Sequence, residues 1–367
     1  MSDPRPAGVP AAITVTGAPA VPSAPAPVLP APRGEPSGPG GPTERDWQRL
    51  VDLIGRAASI DLVCHVLPDG DALGSALAVG LALRSLGHAP RVSFGDDPQV
   101  VPGSLGFLPG LELLVPAGEV PDEPELMITF DVADPQRLGL LRSKAEAATE
   151  LAVIDHHASN GGFGTLRLVD PAAPATAVLV DELLRRLGVP LDLSIATCLY
   201  TGVATDTGSF RYAATTPATH EPAGRLLATG LRHDLISRRL WDTQSFGYLK
   251  VLAAALERAE LDRAAAGGLG LVWTWVPCAD LLRHGVLPEE IEGLIDVVRK
   301  AAEVEVVLVL KEDPDGSLRG SCRAKGAVDV ALACTALGGG GHAYAAGFTS
   351  HEGVAATVAR FRAALPG

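Results

Sequence analysis

Short apolar runs that stop at acidic or imidazole side chains punctuate the chain. Asp61-Leu-Val-Cys-His65 leads into Pro68-Asp69-Gly70-Asp71, Leu126-Met-Ile-Thr-Phe130 into Asp131, and Leu151-Ala-Val-Ile154 into Asp155-His156-His157. A continuous apolar run of this length predicts a strand buried on both faces of a parallel sheet, and in open α/β sheets active sites collect beyond the strands' carboxyl ends. The acids and histidines are therefore placed to converge. Between the runs, an amphipathic helix is predicted after the capping-type Thr43. Another is predicted from about Ala72 to Leu86, ended by Gly87, with a short strand from Arg91 to Phe94. This alternation predicts an α/β fold with a doubly wound, mainly parallel sheet.

Beyond the third run the pattern turns mainly helical, with helices expected near Ala175 to Leu187, Ser194 to Ala204, Pro217 to Thr229 and Phe246 to Arg258. Strand-like alternation restarts at Gly270 to Pro277. It is followed by a helix near Pro288 to Lys300, strands at Val304 to Lys311 and Leu318 to Arg323, a helix, a Gly-rich loop, a strand and a final helix. A smaller C-terminal α/β domain is the reading, with the active site in the cleft between the two. The expected boundaries are a disordered Pro/Ala-rich tail over 1–42, a catalytic domain over 43–245, a linker helix over 246–266 and a substrate-binding domain over 267–367.

Composition narrows the function. The formal net charge of −13 argues against a protein that grips long duplex DNA, because such binding depends on Lys and Arg displacing counterions. A small nucleotide or short RNA held by a few local cations fits better. Five cysteines, at 64, 198, 278, 322 and 334, lack CxxC spacing and read as reduced thiols of a cytoplasmic protein. No apolar stretch reaches the ~20 residues that span a bilayer, and no signal peptide is expected.

The acidic strand ends suit divalent metal chemistry. Six candidate ligands are available, His65, Asp69, Asp71, Asp131, His156 and Asp206, and carboxylates with imidazoles but no thiolate suit hard or borderline ions such as Mn²⁺. Six donors serve two ions if one carboxylate bridges, and Asp131 is the natural bridge. Asp69 and Asp71, at i and i+2 on an expected loop, would share a face and could each reach a different ion. For Asp71, capping of the next helix is an equal alternative.

These residues also carry a family resemblance. His65-Val-Leu-Pro68-Asp69-Gly70-Asp71, Asp131 with Arg137-Leu-Gly139, Asp155-His156-His157, and Gly202-Val-Ala-Thr-Asp206-Thr-Gly208-Ser-Phe210-Arg211 resemble, in order, the four motifs of DHH-family phosphoesterases. The branch most resembled is the NrnA-like one. Gly320-Ser-Cys-Arg323 and Gly338-Gly-Gly-Gly-Gly341-His342 resemble its second domain, DHHA1. The resemblance implies the same six metal ligands holding two Mn²⁺, with Mg²⁺ or Co²⁺ as substitutes. It makes Asp155 a residue that orients the site, and gives His157 the scissile phosphate or the leaving oxygen. Arg323, Gly339, Gly340, Gly341 and His342 would hold the substrate's terminal phosphate or nucleotide, with Arg211 a lesser candidate. It further implies a homodimer that hydrolyses short oligoribonucleotides, 3′-phosphoadenosine 5′-phosphate, or cyclic di-AMP and its linear product. Ala324 stands where relatives often carry Ser, a departure that implies the loss of one substrate hydrogen bond.

Three other functions share features of this sequence. A family II-type inorganic pyrophosphatase shares the first domain's motifs but has a more basic second domain without the Gly-rich run. A RecJ-like single-strand exonuclease would need an additional nucleic-acid module. A non-catalytic nucleotide sensor would have lost a metal ligand, and all six are present.

Overall fold

The computed structural model describes residues 41–212 and 215–366, with the side chain of His342 outside them. The tail expected over 1–42 falls almost wholly outside the described residues. The helix α1 (Glu44–Arg56) begins at a reciprocal cap: Asp46 N donates to Thr43 Oγ1 and Thr43 N to the Asp46 carboxylate. There follow β1 (Ile60–Cys64), α2 (Gly70–Ser85), β2 (Arg91–Phe94), β3 (Leu126–Phe130), α3 (Arg142–Ala147), β4 (Glu150–Asp155) and β5 (Leu166–Val169). These strands form one parallel sheet in the order β2-β1-β3-β4-β5.

Both faces of that sheet are covered, which is why its strands read as unbroken apolar runs. Leu62 and Cys64 pack under α1, α2, α4 (Thr176–Arg186) and α5 (Leu193–Asp206), whereas Val63, Met127 and Leu151 pack on the other side with Ala145 of α3. The helix α2 is buried from Gly70 to Leu83. It meets α5 closely because glycines line the crossing: a Cβ at Gly74 would lie 2.6 Å from the Cys198 carbonyl oxygen, and one at Gly202 2.6 Å from Asp71 Oδ1. The contact sets Asp71, at the start of α2, near Asp206, at the end of α5.

After α6 (Pro217–Leu227) and α7 (His233–Trp241), the chain builds a second sheet. Its elements are α8 (Phe246–Glu257), β6 (Glu260–Asp262), β7 (Leu271–Val276), α9 (Cys278–His284), α10 (Leu294–Val298), β8 (Val306–Glu312), β9 (Leu318–Ala324), α11 (Val330–Ala336), β10 (Gly340–His342), β11 (Ala345–Ser350) and α12 (Val354–Ala364). The order is β10-β11-β9-β8-β7-β6, antiparallel except for the parallel pair β7 and β8. Leu308, Cys322 and Phe348 face α11 and α12, while Val272 and Val307 pack with Tyr248 and Val251 of α8. The α/β architecture with a parallel sheet and a second sheet is the one the sequence predicts.

Local departures have simple causes. The helix expected from Pro288 to Lys300 divides into a 3₁₀ turn at Pro288–Ile291 and α10, with Gly293 at the junction. The strand β5 was not foreseen, because Arg167 breaks a four-residue edge strand. The Gly-rich loop is a strand in part, β10 pairing with β11.

Candidate metal centre

The six candidate ligands meet beyond the carboxyl ends of β1, β3 and β4. Asp131 follows β3 with φ +61, a left-handed conformation that Asp tolerates better than most residues, while its N–H still donates to Ile154 O at 3.0 Å. The turn aims its two oxygens apart. Oδ2 lies 3.5 Å from His65 Nε2, and Oδ1 lies 3.5 Å from His156 Nε2. Three sets of donors are close enough to hold an ion: His65, Asp69 and Asp131; Asp71, His156 and Asp206; and Asp131, His156 and His157. Asp131 belongs to two of them.

The expected shared loop for Asp69 and Asp71 needs correction. Asp69 is the N-cap of α2, accepting from Asp71 N at 3.1 Å and Ala72 N at 3.0 Å, so Asp71 is already helical and the extended-chain argument fails. Asp69, not Asp71, caps this helix. Asp71 is held instead by the first amides of α4, Thr176 N at 2.6 Å and Ala177 N at 2.8 Å. A helix N-terminus is a suitable partner for a buried carboxylate.

The donors fit a divalent cation. His65 Nε2 is buried without a hydrogen bond, 3.5 Å from Asp131 and 3.7 Å from Asp69. Two atoms each ~2.1 Å from one ion stand roughly 3–3.5 Å apart, so this spacing suits joint ligation better than direct bonding. The Ala173 carbonyl, 3.1 Å from His156 Nδ1, can only accept, so Nδ1 donates to it and Nε2 is left as the ligating atom. Burial, with Asp206 and Asp131 nearby, pushes the Asp71 carboxyl well up, and burial with Asp69 and Asp131 raises Asp206 to about 6. Positive charge would relieve this repulsion.

The histidines take the opposite shift. Burial works against charging His65, but Asp131 and Asp69 outweigh it and raise its pKa to about 10; burial likewise opposes charge on His156, where Asp206 and Asp71 prevail, again to about 10. Ligation requires the neutral rings, so metal uptake must release protons. Apparent Mn²⁺ affinity should therefore rise with pH between 6 and 9, up to ~10-fold per unit for each proton released. Calorimetry in buffers of different ionisation enthalpy would count those protons. Affinity independent of pH would show that His65 and His156 do not ligate.

Asp155, fully buried at the end of β4, accepts from His157 Nδ1 at 2.7 Å through Oδ1 and from Asn160 Nδ2 at 2.7 Å through Oδ2. The hydrogen bond that the His157 ring donates to Asp155 raises the His157 pKa despite burial. Sequence reading missed Thr176, whose hydroxyl donates to Asp131 Oδ1 at 2.9 Å, as well as Asn160 and Arg137, whose Nη2 lies 3.0 Å from His65 Nδ1. Arg137 sat in a quoted motif without a role. Thr176, at a predicted helix start, gave no signal of its distant partner.

Arg323 and the glycines form a separate group. Register pairs Arg323 with Ala345 and Ser321 with Gly347 on β11, which in turn pairs β10. Gly339 and Gly341 are required here because a Cβ at either would strike the β11 backbone, whereas Gly340 faces open space. Among the described residues, no hydrogen bond or ion pair joins this group to the acidic cluster. The side chain of His342 lies outside the described residues.

Sequence comparisons agree with this architecture. The DHH family, N-terminal domain, matches residues 59–203, and the DHHA1 domain matches 273–365. The chain belongs to the DHH family of phosphoesterases, hydrolases acting on phosphoester bonds. It is 32% identical over 312 residues to the bifunctional oligoribonuclease and PAP phosphatase NrnA of Thermus thermophilus, covering 84% of this chain and 90% of that relative. It is 28% identical to the cyclic-di-AMP phosphodiesterase GdpP of Geobacillus thermodenitrificans, over 80% of this chain but 45% of the relative. The crystal structure of an exopolyphosphatase-related protein from Bacteroides fragilis shares the fold, with a TM-score of 0.80 and 24% identity across 88% of this chain and 96% of that one.

Proposed function

We propose that this protein is a Mn²⁺-dependent phosphoesterase that removes mononucleotides from very short RNAs and dephosphorylates 3′-phosphoadenosine 5′-phosphate. The observation that carries the reading is Asp131, whose two oxygens face different donor sets. Similarity to the Thermus oligoribonuclease over most of both chains supports the substrate class. His65, Asp69 and Asp131 would hold one ion, and Asp71, His156 and Asp206 the other. Such a pair supplies an activated water and charge stabilisation at phosphorus.

The protein's own groups do the rest. Asp155 fixes the His157 ring through Nδ1, and the raised pKa of His157 keeps more of it protonated near neutrality, as a donor to the leaving oxygen requires. Thr176 holds the Asp131 carboxylate in place. Arg323, half-buried in β9 with no ion pair among the described residues, would clamp the terminal phosphate beside the Gly339–Gly341 backbone. Removing it by Arg323→Ala should raise KM ~10- to 100-fold with kcat within about threefold, the value of one or two charge-assisted hydrogen bonds. A fall in kcat with KM unchanged would place Arg323 elsewhere.

Among the described residues no helix is long and apolar enough to cross a membrane, and the five free thiols suit the cytoplasm. The deciding assay offers purified protein, with Mn²⁺ or Mg²⁺, di- to pentaribonucleotides, 3′-phosphoadenosine 5′-phosphate, cyclic di-AMP and pyrophosphate. Turnover of the first two is the expected result. Hydrolysis of pyrophosphate alone, or of nothing, would overturn the proposal.

A further inference from the structure

The chain leaves α5 through an unusual turn. Gly208, Ser209 and Phe210 all have left-handed backbones, φ 55, 59 and 62, a conformation costly for any residue but glycine. Hydrogen bonds hold it: Ser209 N donates to Ala204 O at 2.7 Å, Phe210 N to Thr207 Oγ1 at 3.0 Å, and Arg211 N and Tyr212 N to Thr207 O at 2.9 and 3.0 Å. Phe210 packs inward between Tyr200 and a stacked His220, with ring centroids 6.3 and 4.9 Å away. Arg211 and Tyr212 are exposed, Tyr212 by 46%, and Arg211 Nε donates to Gly208 O.

The Tyr212 ring lies directly on Gly208, where an added Cβ would strike it. Gly208 is two residues past Asp206, so its Cα is at most ~7.6 Å from that of a candidate ligand. A second exposed apolar side chain flanks the cluster in the same manner. Leu67, between His65 and Asp69, is 77% exposed with φ 51, its N–H fixed to Asp96 Oδ2 at 2.7 Å. Strained backbone thus displays apolar surface at two points on the rim of a polar cluster, where water would favour neither.

We infer that this rim receives a nucleobase, with the exposed face of Tyr212 as the stacking platform for the nucleotide whose phosphate is cleaved at the cluster. The inference rests on the proposed function and adds to it a specificity element: substrates must carry a base beside the scissile phosphate. Stacking on a tyrosine tolerates any base, as an enzyme that clears mixed short RNAs requires.

The test compares 5′-phosphorylated diadenylate with the same dinucleotide made abasic at the residue bearing the scissile phosphate, using the full chain with Mn²⁺. For Tyr212→Ala, KM for diadenylate should rise about 10- to 100-fold with kcat within about twofold, KM for the abasic compound should stay unchanged, and Tyr212→Phe should restore wild-type behaviour. Turnover of the abasic compound also verifies that each variant is folded. If Tyr212→Ala leaves KM for diadenylate unchanged, or raises it equally for both compounds, the platform is overturned and the proposed function stands. If the wild type cleaves neither compound, both are overturned.

Discussion

Replacing Asp131 with asparagine should reduce kcat on short RNA by ~10³-fold or more while leaving the fold intact. The change is nearly isosteric, and asparagine tolerates the left-handed backbone at φ +61 as well as aspartate does. What it removes is the negative charge shared between His65 on one side and His156 on the other, each 3.5 Å away. A loss of ~4 kcal/mol of transition-state stabilisation corresponds to that factor. Calorimetric Mn²⁺ titration should show at least ~10-fold weaker binding alongside. Activity within tenfold of wild type, in a variant with normal thermal melting, would remove Asp131 from the centre of the site.

A second large effect is expected at a residue that has no side chain to take part in the chemistry. In Gly74→Ala the new methyl would stand 2.6 Å from the backbone carbonyl of Cys198, where neither helix has a flexible side chain to yield. Overpacking of this kind costs ~2–3 kcal/mol, readable as a lower urea midpoint. Because α2 carries Asp71 and α5 carries Asp206, displacing the crossing by ~1 Å should also lower kcat/KM by ~100-fold. Gly55→Ala is the matched control: it lies in α1 with nothing within 4 Å of an added Cβ, and should be neutral or slightly stabilising. If both variants behave alike, the close approach of α2 and α5 is not what positions the acids.

How legible the site was depended on the range of the interactions. The strands β1, β3 and β4 could be read because burial on both faces leaves apolar runs, and their terminal acids could be listed from one-dimensional order alone. The partnership of Asp71 with the amides of Thr176 and Ala177 could not, since it joins residues about a hundred positions apart. Thr176 and Asp131, 45 positions apart, are equally silent, whereas Asn160 is only five positions from Asp155 and a lone Asn in a loop gives no sign of its partner. A turn after Asp206 brings Tyr212 to the surface, and its left-handed run includes Ser209 and Phe210, which no propensity foretells. Where one helix was expected across Pro288 to Lys300, a 3₁₀ turn and a short helix meet at Gly293.

The burial of α2 on all sides bears on how the protein is made. This helix leaves a ribosome about 120 residues before the end of α5, the partner that covers its glycine-lined face. At ~5–20 residues per second, synthesis of that interval takes roughly ten seconds, during which a helix buried from Gly70 to Leu83 in the finished fold has no complete enclosure. The first lobe therefore cannot mature element by element in the order of translation. Fragments ending before Asp206 should be held by chaperones or aggregate, whereas those that run through Ile236, which completes the same core, should already resist protease.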